Sequence, residues 1–212
     1  MLLQQGYRVL LPDSRAHGES GGTLATYGLL ERDDIHRWVD WLYDDKQSAC
    51  VYGFGESMGA ALVLQSLAVE RRFCAVVADS SFSSFRSVSY DRIGYYVHLG
   101  RWFGQTFGRL PVEIGLMYAK CRYGLDLRQA NPEAALARTN TPVLLIHGKA
   151  DVNIRPWHSE NGSGVSQSCS TVRGVRRQPR RGGHSRTRDV SNKTGRLVQR
   201  TFNPEPAVTS AG

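Results

Sequence analysis

Apolar positions along this chain fall into two rhythms. Short unbroken runs recur at residues 7–12, 50–54, 73–79 and 142–147, each bounded by glycine, proline or charge. Runs of this length without polar alternation predict strands covered on both faces. Between them lie stretches with helical spacing. Ile35, Trp38, Val39 and Leu42 place a helix ending near Tyr43, and Leu62, Leu64, Leu67 and Ala68 place another over residues 60–70. Residues 2–6 read as a last helical turn stopped by Gly6. Strands alternating with helices predict an α/β chain with a mainly parallel sheet flanked by helices. Residues 80–140 break the alternation with loops, helices and many aromatics, and predict a helical cap inserted before the fourth strand.

A length of 212 residues suits one domain, or one domain and a tail, and 41% apolar residues suit a globular core. No run approaches the ~20 apolar residues of a membrane helix. Residues 1–6 lack the charged start and cleavage site of a signal peptide, so the expected location is cytoplasmic. Cys50, Cys74, Cys121 and Cys169 form no C-x-x-C pair, and the first two, in strand patterns, are expected as core thiols rather than a disulfide.

Charge divides the chain. Residues 1–160 hold 17 basic and 17 acidic side chains, whereas residues 161–212 hold 10 basic ones against Asp189 and Glu205. The whole net charge of +8 therefore sits in the last quarter, where Phe202 is the only aromatic. The expected organisation is a core over 1–160 and a basic, disordered tail over 161–212.

Candidate chemistry centres on Gly55-Glu56-Ser57-Met58-Gly59, placed between a strand and an apolar helix. A serine hydroxyl is a weak nucleophile and must stand clear of the sheet to meet a base. A sharp strand-to-helix turn does this, and small neighbours (Gly55, Gly59, Ala60) let helix and strand approach. The acid that orients the base is expected after a later strand. Asp151, in the turn behind the fourth strand, is the first choice, and Asp79, ending the third, is the runner-up. The base should follow the acid in sequence, leaving His158 and His184. His158 opens a helix only seven residues on and reads as structural; His184, behind Gly182-Gly183, is the candidate base. The remaining histidines precede the acid, none with zinc-ligand spacing on one helix, so neither metal nor cofactor is expected. Tyr90, Tyr95, Tyr96, Trp102, Phe103 and Phe107 are expected either to line an acyl pocket or to pack the cap.

With these residues placed, the chain resembles bacterial α/β-hydrolases of the serine aminopeptidase and prolyl-oligopeptidase-like group. Four stretches carry the likeness: the Asp13-Ser14-Arg15-Ala16-His17-Gly18-Glu19-Ser20 loop with the run before it; the Gly55–Gly59 pentapeptide; Tyr123-Gly124-Leu125-Asp126 with Asn131-Pro132; and residues 141–151. The resemblance implies a partial α/β-hydrolase fold, Ser57 as nucleophile, Asp151 as acid and His184 as base, with the Met58 N–H in the oxyanion hole. It implies a small-molecule ester, amide or peptide substrate. Two departures stand out. Such hydrolases have strands and a His-Gly loop before the point where this chain starts, and a helix and apolar strand where it shows Asn161-Gly162-Ser163-Gly164 and an arginine-rich run. These departures lead us to expect a truncated product. Two other functions stay open: an inactive remnant of a hydrolase, and nucleic-acid binding by Arg173, Arg176, Arg177, Arg180 and Arg181. Against the last stands the lack of aromatics for base stacking.

Overall fold

A computed structural model of the protein describes residues 2–165 and 169–174. Of the described residues, 2–12 belong to one compact unit and those from Asp13 to Gly174 to another. In the first, a 3₁₀ turn over Leu3–Gln5 ends at Gly6, whose φ of 84° is the left-handed stop expected there. The following apolar run corrects the expectation of a buried strand. Residues 7–12 form no strand, and Leu11 is 88% exposed. An apolar run records a need for cover on its faces; pairing at its edges has to come from elsewhere in a chain.

The second unit is an α/β layer structure. Four strands, β1 (Val51–Glu56), β2 (Phe73–Asp79), β3 (Val143–Gly148) and β4 (Cys169–Gly174), form a parallel sheet in the order β1-β2-β3-β4. Helices join them: α1 (Glu31–Asp44) before β1, α2 (Met58–Ser66) between β1 and β2, then α3 (Phe85–Tyr96), α4 (Gly100–Gln105), α5 (Arg109–Tyr123) and α6 (Pro132–Leu136) before β3. Helix α7 (Trp157–Val165) leads into β4. Regular structure therefore continues past Glu160, where composition placed the change of character; residues 175–212 lie outside the described residues.

The core forms where α2 crosses the sheet. Every residue of α2 from Ala60 to Ser66 is buried, and Ala60, Val63 and Leu64 meet Val51, Val76, Val143, Leu145 and Leu136. α1 adds Val39, with Ile35 and Leu42 packed partly buried beside it. Tyr52 and Phe54 in β1 are exposed, so this strand alternates instead of being covered on both faces. Cys50 and Cys74 are joined by a disulfide, correcting the core-thiol expectation. Register explains it: Val51 pairs with Phe73, which brings the flanking cysteines to a Cα separation of 5.9 Å outside the core.

The polar loop before α1 is held by its own side chains. The Asp13 carboxylate accepts the Glu19 N–H at 3.0 Å, and the Ser20 hydroxyl donates to the Asp13 carbonyl at 2.7 Å. Gly18, at φ 53°, faces Asp13 so closely that a Cβ would lie 2.1 Å from its Oδ2. Arg15 fastens the loop to α1 through two 2.7 Å bonds to Asp34. Burial alone would raise the Glu31 carboxyl, but bonds from the Thr26 hydroxyl and the Thr26 and Gly28 N–H groups lower it below the usual range.

Candidate active site

β1 ends at Glu56, α2 begins at Met58, and Ser57 alone makes the junction. Its backbone stands at φ 55°, ψ −117°, a conformation a side-chain-bearing residue occupies at a cost of about 1–3 kcal/mol. Two bonds hold it there. The Ser57 N–H donates to the Asp79 carbonyl at the end of β2 (2.8 Å), and the Ser57 carbonyl accepts the Ala61 N–H of α2 (3.2 Å). A serine before a helix usually turns its hydroxyl back to cap the helix. Ser57 makes no such bond and is exposed.

Gly55 is required here because a Cβ would lie 2.3 Å from the Gly59 carbonyl oxygen. Gly59 itself is different: a Cβ there meets nothing within 4 Å, so its smallness is not needed for packing. Met58, the first residue of α2, carries one of the N–H groups left without a partner inside a helix.

Asp151 lies three residues beyond β3, in a turn closed by its own N–H to the Gly148 carbonyl (3.0 Å). One carboxylate oxygen, Oδ1, accepts the Asn153 and Ile154 N–H groups at 2.8 and 3.0 Å. The other, Oδ2, is 3.9 Å from His147 Nε2, too far for a hydrogen bond. His147 Nε2 instead donates to the Ile154 carbonyl at 2.7 Å. Asp151 thus shapes the turn with one oxygen, and among the described residues the second carries no hydrogen bond. Asp79, the other acid considered, is buried and bonded by the Ser80 hydroxyl at 2.9 Å.

Because every strand runs the same way, Ser57, Asp79 and Asp151 leave the sheet on one rim, the side where parallel sheets carry their sites. β2 lies between β1 and β3, so the strands that lead to Ser57 and Asp151 run about 10 Å apart. His184 lies outside the described residues.

A second serine–histidine–aspartate grouping invites comparison. His158 Nδ1 accepts the Ser83 N–H at 3.2 Å and its hydroxyl at 2.9 Å, and its Nε2 stands 3.8 Å from Asp91 Oδ2. Trp157 stacks on the imidazole and donates to Asp91, as does Gln105. The His158 side chain is 0% exposed, however, and the cavity beside it is only about 10 Å³, room for about one water. No substrate reaches it. This cluster pins α3 and α4 to α7, in keeping with the structural role expected for His158. Burial, outweighing the attraction of Asp91, pushes the imidazole down to about 4, so it is neutral in the fold.

Among the described residues, His36, Asp40 and Glu70 converge closely enough to suggest a cation. Arg72 already fills the position, its Nη2 2.5 Å from Asp40 and 2.6 Å from Glu70. The group precedes β2 and therefore lies at the opposite end of the sheet from Ser57. The cap aromatics divide. Tyr90 is buried, Phe103 is half-buried, and Tyr95, Tyr96, Trp102 and Phe107 lie on the outside of the helices.

Residues 1–189 match the family described as the alpha/beta hydrolase family. The chain belongs to that family. Its curated relatives include YqkD of Bacillus subtilis, 32% identical over 154 residues, and YfhR of Escherichia coli K12, 27% identical over 164 residues; both are described as uncharacterized. These matches take in 71% and 75% of this chain, and the chain spans about half (48%) of the length of each relative. Among solved structures, the Pyrococcus furiosus esterase Pf2001 is similar at a TM-score of 0.64 and 25% identity, covering 94% of this chain and 72% of the esterase. A puromycin-hydrolyzing peptidase of Mycobacterium tuberculosis shares the fold at a TM-score of 0.51 and 18% identity, over 70% of this chain and 22% of the peptidase. As in any α/β-hydrolase, the chemistry has to be argued from the site, because the fold hosts many reactions.

Proposed function

We propose that this chain is a serine hydrolase that cleaves an ester or amide bond of a small substrate through an acyl-enzyme. The observation that carries the reading is the left-handed backbone of Ser57 between β1 and α2, with its hydroxyl excused from capping. Strain of this kind persists where the surrounding structure enforces it, as the Asp79 bond and the Gly55–Gly59 contact do here.

Ser57 Oγ attacks the carbonyl carbon while His184 takes its proton. The oxyanion is held by the Met58 N–H, a preorganised donor whose loss typically costs about 10²–10³ in rate. The tetrahedral adduct collapses, His184 returns the proton to the leaving group, and water repeats the sequence to release the acid. Asp151, whose Oδ2 carries no hydrogen bond among the described residues, orients the imidazole. No cofactor takes part. Similarity to an esterase favours an ester over a peptide bond.

Hydrolysis of short-chain nitrophenyl esters and aminoacyl nitroanilides by the full chain tests this. Ser57→Ala should lower kcat by about 10⁴–10⁶, with His184→Ala close behind. Turnover by Ser57→Ala equal to that of the unaltered protein would end the proposal.

A further inference from the structure

The helices between β2 and β3 turn an apolar face outward. Along α5, Leu110, Ile114 and Tyr118 recur at helical spacing and all are exposed, whereas Leu116 supplies the buried side. A groove of about 430 Å³ opens beside Ile114 and Tyr118. Tyr96, Trp102 and Phe107, on α3, on α4 and before α5, are each about two-thirds exposed (65%, 69% and 67%). Scattered exposed apolar residues are ordinary, but a run of large ones across three consecutive helices marks an interaction surface.

Charge says what covers it. Residues 85–128 hold seven cations and three carboxylates; Asp91 faces Arg101 (3.4 Å) and Asp126 holds Lys120 (2.8 Å). Glu113 is spent inward on Arg86, Tyr90 and Arg128. Arg109 and Arg122 are exposed and lie over the Tyr90 and Tyr123 rings. The face is therefore apolar, aromatic and, through Arg109 and Arg122, cationic, with Glu113 in the groove neutralised by Arg86 and Arg128.

We propose that α3–α5 form a docking face for an anionic lipid surface, on which the protein sits without spanning it. Aromatic and aliphatic side chains enter the headgroup boundary while Arg109 and Arg122 meet the phosphates. A second copy of the chain would set these cations against each other across a twofold axis. The chain's own residues 161–212, with 10 basic and two acidic side chains, repel the face in the same way. Nucleic acid shares the charge preference and can stack on the aromatics, but it leaves the aliphatic area of Leu110, Ile114 and Met117 uncovered, which a lipid surface covers. None of the described helices is long and apolar enough to cross a membrane. This inference does not depend on the hydrolase chemistry.

Vesicle co-sedimentation of the full chain tests it, comparing pure phosphatidylcholine with phosphatidylcholine containing phosphatidylglycerol. Binding should require the anionic lipid and weaken with salt. Arg109→Gln with Arg122→Gln should weaken it about 25-fold, some fivefold per cation, and Ile114→Ser about tenfold. All three positions are exposed, so unchanged melting temperatures confirm intact folds. Failure to bind anionic vesicles overturns the proposal. So does binding that none of these variants alters, which would place it in residues 161–212. Light scattering that shows a dimer dissociated by Ile114→Ser, or single-stranded oligonucleotide binding lost in the arginine variant while vesicle binding persists, overturns it as well.

Discussion

His158 offers a quantitative test of how the cap is fastened. The imidazole is 0% exposed, Nδ1 is filled by Ser83, and Nε2 has no hydrogen bond among the described residues. Its pKa falls from 6.5 to about 4, with burial as the leading cause. A depressed base is neutral in the fold and protonates on unfolding, so its stabilising effect is complete above pH ~6.5 and is lost as acidity rises towards pH ~4. At 1.36 kcal/mol per unit, the full shift is worth about 3 kcal/mol, of which about 2 kcal/mol is lost between pH ~7 and ~5. With a urea m-value of about 2 kcal/mol/M, that moves the midpoint by about 1 M. The assay is a pair of urea melts at the two pH values for the unaltered protein and for His158→Gln. The variant should be less stable at neutral pH yet show a midpoint shift smaller by about 1 M, because it has no proton to take up. Equal shifts in both proteins would refute the reasoning and leave the acid sensitivity to carboxylates.

Four further outcomes follow from the geometry. Gly55→Ala should cost about 2–3 kcal/mol in denaturant melts and abolish esterase activity, since its Cβ meets the Gly59 carbonyl at 2.3 Å. Gly59→Ala, with open space and a helical position, should be neutral or stabilise by up to about 1 kcal/mol. Cys50→Ser with Cys74→Ser should lower stability by about 3 kcal/mol by reopening a loop of sequence separation 24, and thiol titration of the denatured, unreduced protein should find these two cysteines blocked. Asp151→Asn keeps an oxygen for the Asn153 and Ile154 N–H groups, so its melting temperature should hold while kcat falls by about 10³–10⁴.

Most of the layer order was legible in the sequence because local signals and tertiary needs agree. The run at residues 73–79 coincides with β2, and the run ending at His147 became β3, since both are covered on two faces. The strand-to-helix junction at Ser57 was legible for a related reason: a tight junction of this kind asks for glycine at position 55, where a Cβ would meet the Gly59 carbonyl. The misses share a cause, which is that they depend on partners distant in sequence. Nothing local told Cys50 that Cys74 would stand beside it; that is a matter of strand register. The run at residues 7–12 reads like β2 but forms no strand. β4 was missed because Cys169-Ser170-Thr171-Val172-Arg173-Gly174 is polar, and its pairing with β3 carries the assignment instead of its own pattern. The cap aromatics showed their number but not their direction, because aromatic content alone does not say which face of a helix turns outward.

The account rests on Ser57 being an activated alcohol, and a fluorophosphonate probe reads that directly. The full chain, incubated with the probe and digested, should carry one adduct, on the peptide containing Ser57, and Ser57→Ala should carry none. A folded protein that stays unlabelled, or a label that persists unchanged in Ser57→Ala, would contradict it.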